Sequence, residues 1–158
     1  MRGKNKQLAI GGIVGALYMA ITLTPGINII SYGPVQFRIA EALTVLPFIY
    51  PGAIFGLFIG CLLANIFGPV GIQDVIFGSL CTLLAAWFTC LLRKTEIPVL
   101  APIPPIVINA LGVSAYLHYF FELPYWVLVA QIAFGQAVVC YVLGFPLLLF
   151  IRNRENRF

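Results

Sequence analysis

Apolar runs lie near residues 8–24, 38–50, 52–67, 75–92, 99–121 and 124–151, separated by Gly/Pro punctuation or short charged loops. A helix crossing roughly 30 Å of hydrocarbon needs about 20 residues, so the pattern predicts an all-α polytopic membrane protein. The second and third runs admit two readings. As one kinked helix over 38–67 they give five spans and place Arg152, Arg154 and Arg157 opposite Arg2, Lys4 and Lys6. As a hairpin turning at 47–52 they give six.

Charge separates the two. With six spans, both tails and the Arg93-Lys94 loop share one side, while loops 25–37, 68–74 and 122–124 carry no Lys or Arg. The positive-inside rule therefore selects a compact bundle of six transmembrane helices with both termini cytoplasmic. Pro47 and Pro51 favour the break, because each removes a backbone donor and clashes with the preceding turn. The second span then requires tilt, bilayer thinning or shelter from neighbouring helices, since about 13 α-helical residues reach only some 20 Å. Short spans of this kind often border a binding site.

Composition agrees. The 158 residues are 61% hydrophobic and 9% charged, with a mean hydropathy of +1.02, too little polar surface for a water-soluble globule. The whole chain, 1–158, is expected to form one transmembrane domain in the lipid bilayer. The net charge of +4 comes mainly from the tails MRGKNK and RNRENR, with no basic face elsewhere to bind nucleic acid. Cys61, Cys81, Cys90 and Cys140 lie in apolar runs without metal-ligand spacing and read as small buried hydrophobes. The first run is long for a secretory signal and no A-x-A site follows it, so it is expected to be a retained span.

Small residues form two stripes. Gly52, Gly56, Gly60, Ala64 and Gly68 recur every four residues along the third run; Gly12, Ala16 and Ala20 mark the first, where Ala16 and Ala20 form an A-x-x-x-A pair. Such stripes let another backbone approach closely, whether inside the bundle or on a partner.

Under the six-span topology most polar residues gather toward the outer half. Loop 1 offers Asn28, Ser31, Tyr32 and Gln36; the second span opens with Arg38 and Glu41; the third ends at Asn65; the fourth starts with Gln73 and Asp74. The fifth brings Asn109, Tyr116, His118 and Tyr119, and the sixth Tyr125, Trp126, Gln131 and Gln136. Each has a structural explanation. Arg38 and Glu41, three apart, neutralise each other on one helix face; Asp74 caps the fourth helix; the amides glue helices together; the aromatics form interface belts. A single outward-facing polar pocket explains the whole set.

No H-E-x-x-H, G-x-S-x-G or G-x-x-x-x-G-K-[ST] motif occurs, so the residues point to a non-enzyme that binds a small polar solute and draws its energy from elsewhere. No cofactor is called for. A scaffold subunit, with the polar set as helix glue, and a proton-coupled carrier relaying protons through Glu41 and Asp74 stay open.

The runs VQFRIAEALTVLPF, GLFIGCLLANIFG, DVIFGSLCTLLAA, INALGV and GQAVVCYVLG resemble the QueT family, substrate-binding S components of energy-coupling-factor transporters. The resemblance covers nearly the whole chain. It implies a subunit of a bacterial cell membrane that captures a queuosine precursor, aminomethyl-deazaguanine, on the outer side. It also implies association with a transmembrane coupling subunit and two cytosolic ATPases, docking through Ala16 and Ala20 with Gly12 one turn earlier. Loop 1 would be the lid, and toppling of the whole subunit would deliver the solute; an S component for another small vitamin or base is the alternative within transport.

Such a ligand offers a donor edge for a carboxylate, a carbonyl for Asn, Gln or Arg, a π-face and an ammonium group. The expected contacts are Glu41 or Asp74 on the guanine-like edge and the other acid on the ammonium. Asn65, Asn109, Gln131, Gln136 and Tyr116 complete the pocket. Arg38 is expected to position Glu41 rather than touch a cationic ligand.

Overall fold

A computed structural model describes residues 2–26, 38–69 and 71–155. The described residues form six helices: α1 (Arg2–Leu23), α2 (Ile39–Phe48), α3 (Ala53–Phe67), α4 (Asp74–Thr95), α5 (Pro98–Phe121) and α6 (Tyr125–Glu155). Each matches one apolar run of the sequence. By length and composition α1, α4, α5 and α6 suffice to cross a membrane, whereas α2 and α3, with 10 and 15 residues, are shorter. The loop-1 residues Asn28, Ser31, Tyr32 and Gln36, and the tail residue Arg157, lie outside the described residues.

α2 is a 3₁₀ helix with Pro47 inside it, and nine of its ten residues are buried. At about 2 Å rise per residue, 3₁₀ winding stretches ten residues to roughly 20 Å. The shelter expected for this short element comes from packing against α1, α4 and the middle of α6. There α6 adopts a π-helical stretch, Val139–Gly144, in which Gly144 admits α2: a Cβ on it would lie 2.9 Å from the Ala42 carbonyl oxygen.

α1 and α3 touch backbone to backbone. Gly11 and Gly15 of α1 face Gly52, Gly56 and Gly60. A Cβ on Gly15 would lie 2.7 Å from the Gly56 carbonyl oxygen, and one on Gly56 would clash with the Gly11 carbonyl. The α3 stripe therefore packs inside the bundle. Gly12, Ala16 and Ala20 project from α1 the other way and are exposed. Phe55, Ile59, Trp87 and Trp126 also point outward, as suits side chains facing lipid or its interface.

Polar contacts gather one end of the bundle. Lys6 pairs with Glu155 at 3.5 Å, and the Tyr50 hydroxyl donates to Glu155 at 2.9 Å. The Gly52 amide donates to Gln7 Oε1 at 2.7 Å, and Arg152 donates to the Glu96 carbonyl at 3.4 Å. The start of α1, the α2–α3 turn, the α4–α5 turn and the end of α6 thus share one end, as an up-and-down course of six helices requires.

Candidate functional site

Toward the opposite end, the start of α2 is ringed by buried polar side chains. Arg38, in extended conformation just before α2, is 6% exposed; Glu41 in its first turn is 1% exposed. Asn65 near the end of α3, Asp74 at the start of α4 and Asn109 and Tyr116 on α5 are each below 9%. Helices α1 to α5 all contribute, which fixes the cluster at their junction.

Glu41 is held by two neutral donors from different helices. The Tyr18 hydroxyl of α1 donates to Oε1 at 2.5 Å, and Asn109 Nδ2 of α5 donates to Oε2 at 3.2 Å. Asp74 is held differently: its Oδ1 accepts from the Tyr116 hydroxyl and lies 3.7 Å from Arg38 Nη2. Asn65 Nδ2 donates to the Asp74 backbone carbonyl at 2.9 Å and braces the first turn of α4. That turn is π-helical, and Gly78 in it leaves room between Asn65 and Tyr116.

One expectation is corrected and one alternative reading falls. Among the described residues Arg38 makes no direct ion pair with Glu41, although its charge still acts on that carboxylate. Its ion pair is to Asp74, because Arg38 sits outside the helix, and the three-residue spacing that aligns side chains on an α-helix does not apply. Asp74 is not a cap: its carboxylate turns inward to α5 and Arg38, and the helix start has no side-chain cap bond.

The other predicted residues divide. Gln136 is 4% exposed and reaches α2 at one remove: the Cys140 sulfur lies 3.7 Å from Gln136 Oε1 and 3.6 Å from the Glu41 carbonyl oxygen. Gln131 is half-buried and makes no hydrogen bond among the described residues. Among the cysteines, Cys61, Cys81 and Cys140 are buried and Cys90 is half-buried. Cys61 also accepts from Thr82 at 3.4 Å.

Tyr18 is the contact that sequence reasoning missed. It is fully buried and continues the face begun by Gly11 and Gly15, at helical spacings of four and three. A tyrosine extending a glycine face on an otherwise apolar helix was the available signal.

Two acids and one guanidinium, with hydroxyl and amide donors around them, make a site with one acid beyond charge balance. Buried carboxylates survive only where donors or cations satisfy them, and both are provided here. Two further groups point to a ligand. Asn65 Oδ1 and Asn109 Oδ1 are buried and accept no hydrogen bond among the described residues. Paired carboxylates, unused amide carbonyls and a nearby guanidinium suit a small solute with several N–H donors.

The family model described as "QueT transporter" matches residues 8–153. A similar protein is the "Queuosine precursor transporter QueT" of Lactococcus lactis subsp. cremoris (strain MG1363), 40% identical over 83 residues. That match spans 52% of this chain and 48% of the relative, about half of each. No solved structure matches the chain at a significant level.

Proposed function

The chain belongs to the QueT transporter family, and from that premise we propose that it is the substrate-capture subunit of an ATP-driven importer for a queuosine precursor, aminomethyl-deazaguanine. The observation that carries the reading is the buried polar cluster around Glu41 and Asp74, set toward the end of the bundle away from the termini. A cationic base with a guanine-like edge needs two acids, one for the ammonium and one for the edge. The relative's name points to the same solute class.

Lys4, Lys6, Arg93, Lys94, Arg152 and Arg154 lie at or near the other end, so the positive-inside rule turns that end to the cytoplasm and the cluster to the outer side of a bacterial cell membrane. The short helices α2 and α3 then count as spans, giving six. Nothing in the sequence cradles nucleotide phosphates, so the energy comes from two cytosolic ATPases through a transmembrane coupling subunit. The exposed small residues Gly12, Ala16 and Ala20 present a smooth face on which such a subunit could dock, while the glycines behind them are used inside the bundle.

Reconstitution tests this reading. Liposomes containing this chain, a coupling subunit and ATPases should accumulate labelled aminomethyl-deazaguanine only with internal ATP. Uptake by this chain alone under a pH gradient would overturn it in favour of a proton-coupled carrier.

A further inference from the structure

The two acids of the cluster have partners of different kind, and the difference assigns them. Among the described residues Glu41 takes its hydrogen bonds from neutral donors, one on each carboxylate oxygen, Tyr18 on Oε1 and Asn109 on Oε2, with the Arg38 charge acting on it from beyond ion-pair distance. A carboxylate offers about four lone-pair sites. Each oxygen thus keeps acceptor capacity for one further donor, and two N–H donors of a guanine-like edge would use both. Asp74 instead faces a cation. Its contact with Arg38 is 3.7 Å, an ion pair too long for a direct hydrogen bond, whereas charge-assisted N–H···O bonds close to about 2.7–2.9 Å.

Resting on the function proposed above, we infer that Arg38 occupies the place of the ligand's cation on Asp74, that the ligand's ammonium displaces it on binding, and that Glu41 takes the ring edge. A small ammonium makes the direct bonds that the guanidinium does not, and two cations cannot share one buried carboxylate without strong repulsion. Asn65 Oδ1 and Asn109 Oδ1, buried and without a donor among the described residues, supply acceptors for the remaining N–H groups. Asp74 then sets selectivity and Arg38 weakens the favoured ligand: a solute with the same ring but a neutral substituent makes no bond at Asp74 and leaves the ion pair in place.

The test compares two probes, aminomethyl- and cyano-deazaguanine, which share the ring and differ in charge, in equilibrium titration of the detergent-purified full chain. Wild type should prefer the aminomethyl ligand. Arg38→Gln should tighten that ligand by about tenfold, the factor given by one displaced weak contact, and leave the nitrile within about twofold. Asp74→Asn should erase the preference while still binding the ring. Because Arg38→Gln leaves Asp74 buried without its cation, the double variant R38Q/D74N, with neither charge, serves as the check on folding. It should bind both ligands equally.

Weaker aminomethyl binding in Arg38→Gln would make Arg38 a ligand contact or a brace and overturn the displacement. An equal loss of both ligands in Asp74→Asn would overturn the assignment of the acids. Wild type that binds neither probe would overturn both this inference and the functional reading beneath it, whereas wild-type binding with the wrong variant pattern would overturn this inference alone.

Discussion

Tyr18 and Glu41, 23 positions apart, meet in a 2.5 Å hydrogen bond that ties α1 to the central helix. Removing the hydroxyl in Tyr18→Phe keeps the packing of a fully buried ring but takes one donor from a buried carboxylate. A buried group left short of a partner costs about 1–3 kcal/mol. The ligand-free variant should therefore unfold at lower temperature in detergent, and an unchanged Tm would mean that Glu41 is satisfied without α1.

Glu41→Gln keeps the shape of the side chain and replaces one acceptor oxygen with a donor nitrogen. If the carboxylate receives a donor edge of the solute, affinity for aminomethyl-deazaguanine should fall by more than about 2 kcal/mol. Calorimetric titration reads this directly, and wild-type affinity would remove Glu41 from the site.

Gly78 adjoins the cluster. A Cβ there would sit 3.4 Å from Asn65 Nδ2 and 3.7 Å from both Asp74 Oδ1 and the Tyr116 hydroxyl, which is ordinary contact. Gly78→Ala should therefore fold, helped by about 0.5–1 kcal/mol of reduced backbone entropy, yet bind more weakly because the methyl group fills space among three polar groups. Melting and titration on the same preparation separate the two effects. A loss of stability without a loss of affinity would show that the space is packing volume only.

The two faces of α1 should behave oppositely. Gly56→Ala, pressed against the Gly11 backbone, should destabilise the bundle by about 1–3 kcal/mol through overpacking. Ala16→Leu on the exposed face should leave the Tm within experimental scatter and leave solute binding intact, while abolishing ATP-dependent uptake in the reconstituted importer. Normal uptake by Ala16→Leu would place the docking face elsewhere.

Much of the architecture was legible because it follows from one-dimensional rules. Apolar runs set the helices, Pro47 and Pro51 the break between α2 and α3, and basic residues the shared end of the bundle. The α3 glycine stripe was visible too, but its mate, Gly11 and Gly15, lies one residue from Gly12 and Ala16 and differs only in helix rotation. Rotation also decides why Gln136 is buried and Gln131 only half-buried. The i, i+3 spacing pairs Arg38 with Glu41 on an α-helix; extended backbone at Arg38 and 3₁₀ winding after it send the guanidinium to Asp74 instead. Such partners depend on packing between helices, which no local pattern encodes.

The most direct test of solute capture is thermal stabilisation of the purified wild-type chain by guanine, cyano- and aminomethyl-deazaguanine, riboflavin and thiamine. A ligand that binds only the folded state stabilises it by about 2.7 kcal/mol at a hundredfold excess over Kd. The account predicts a shift with aminomethyl-deazaguanine and none with guanine, riboflavin or thiamine. No shift with any of the five in a verified folded sample would contradict capture of a queuosine precursor by this subunit.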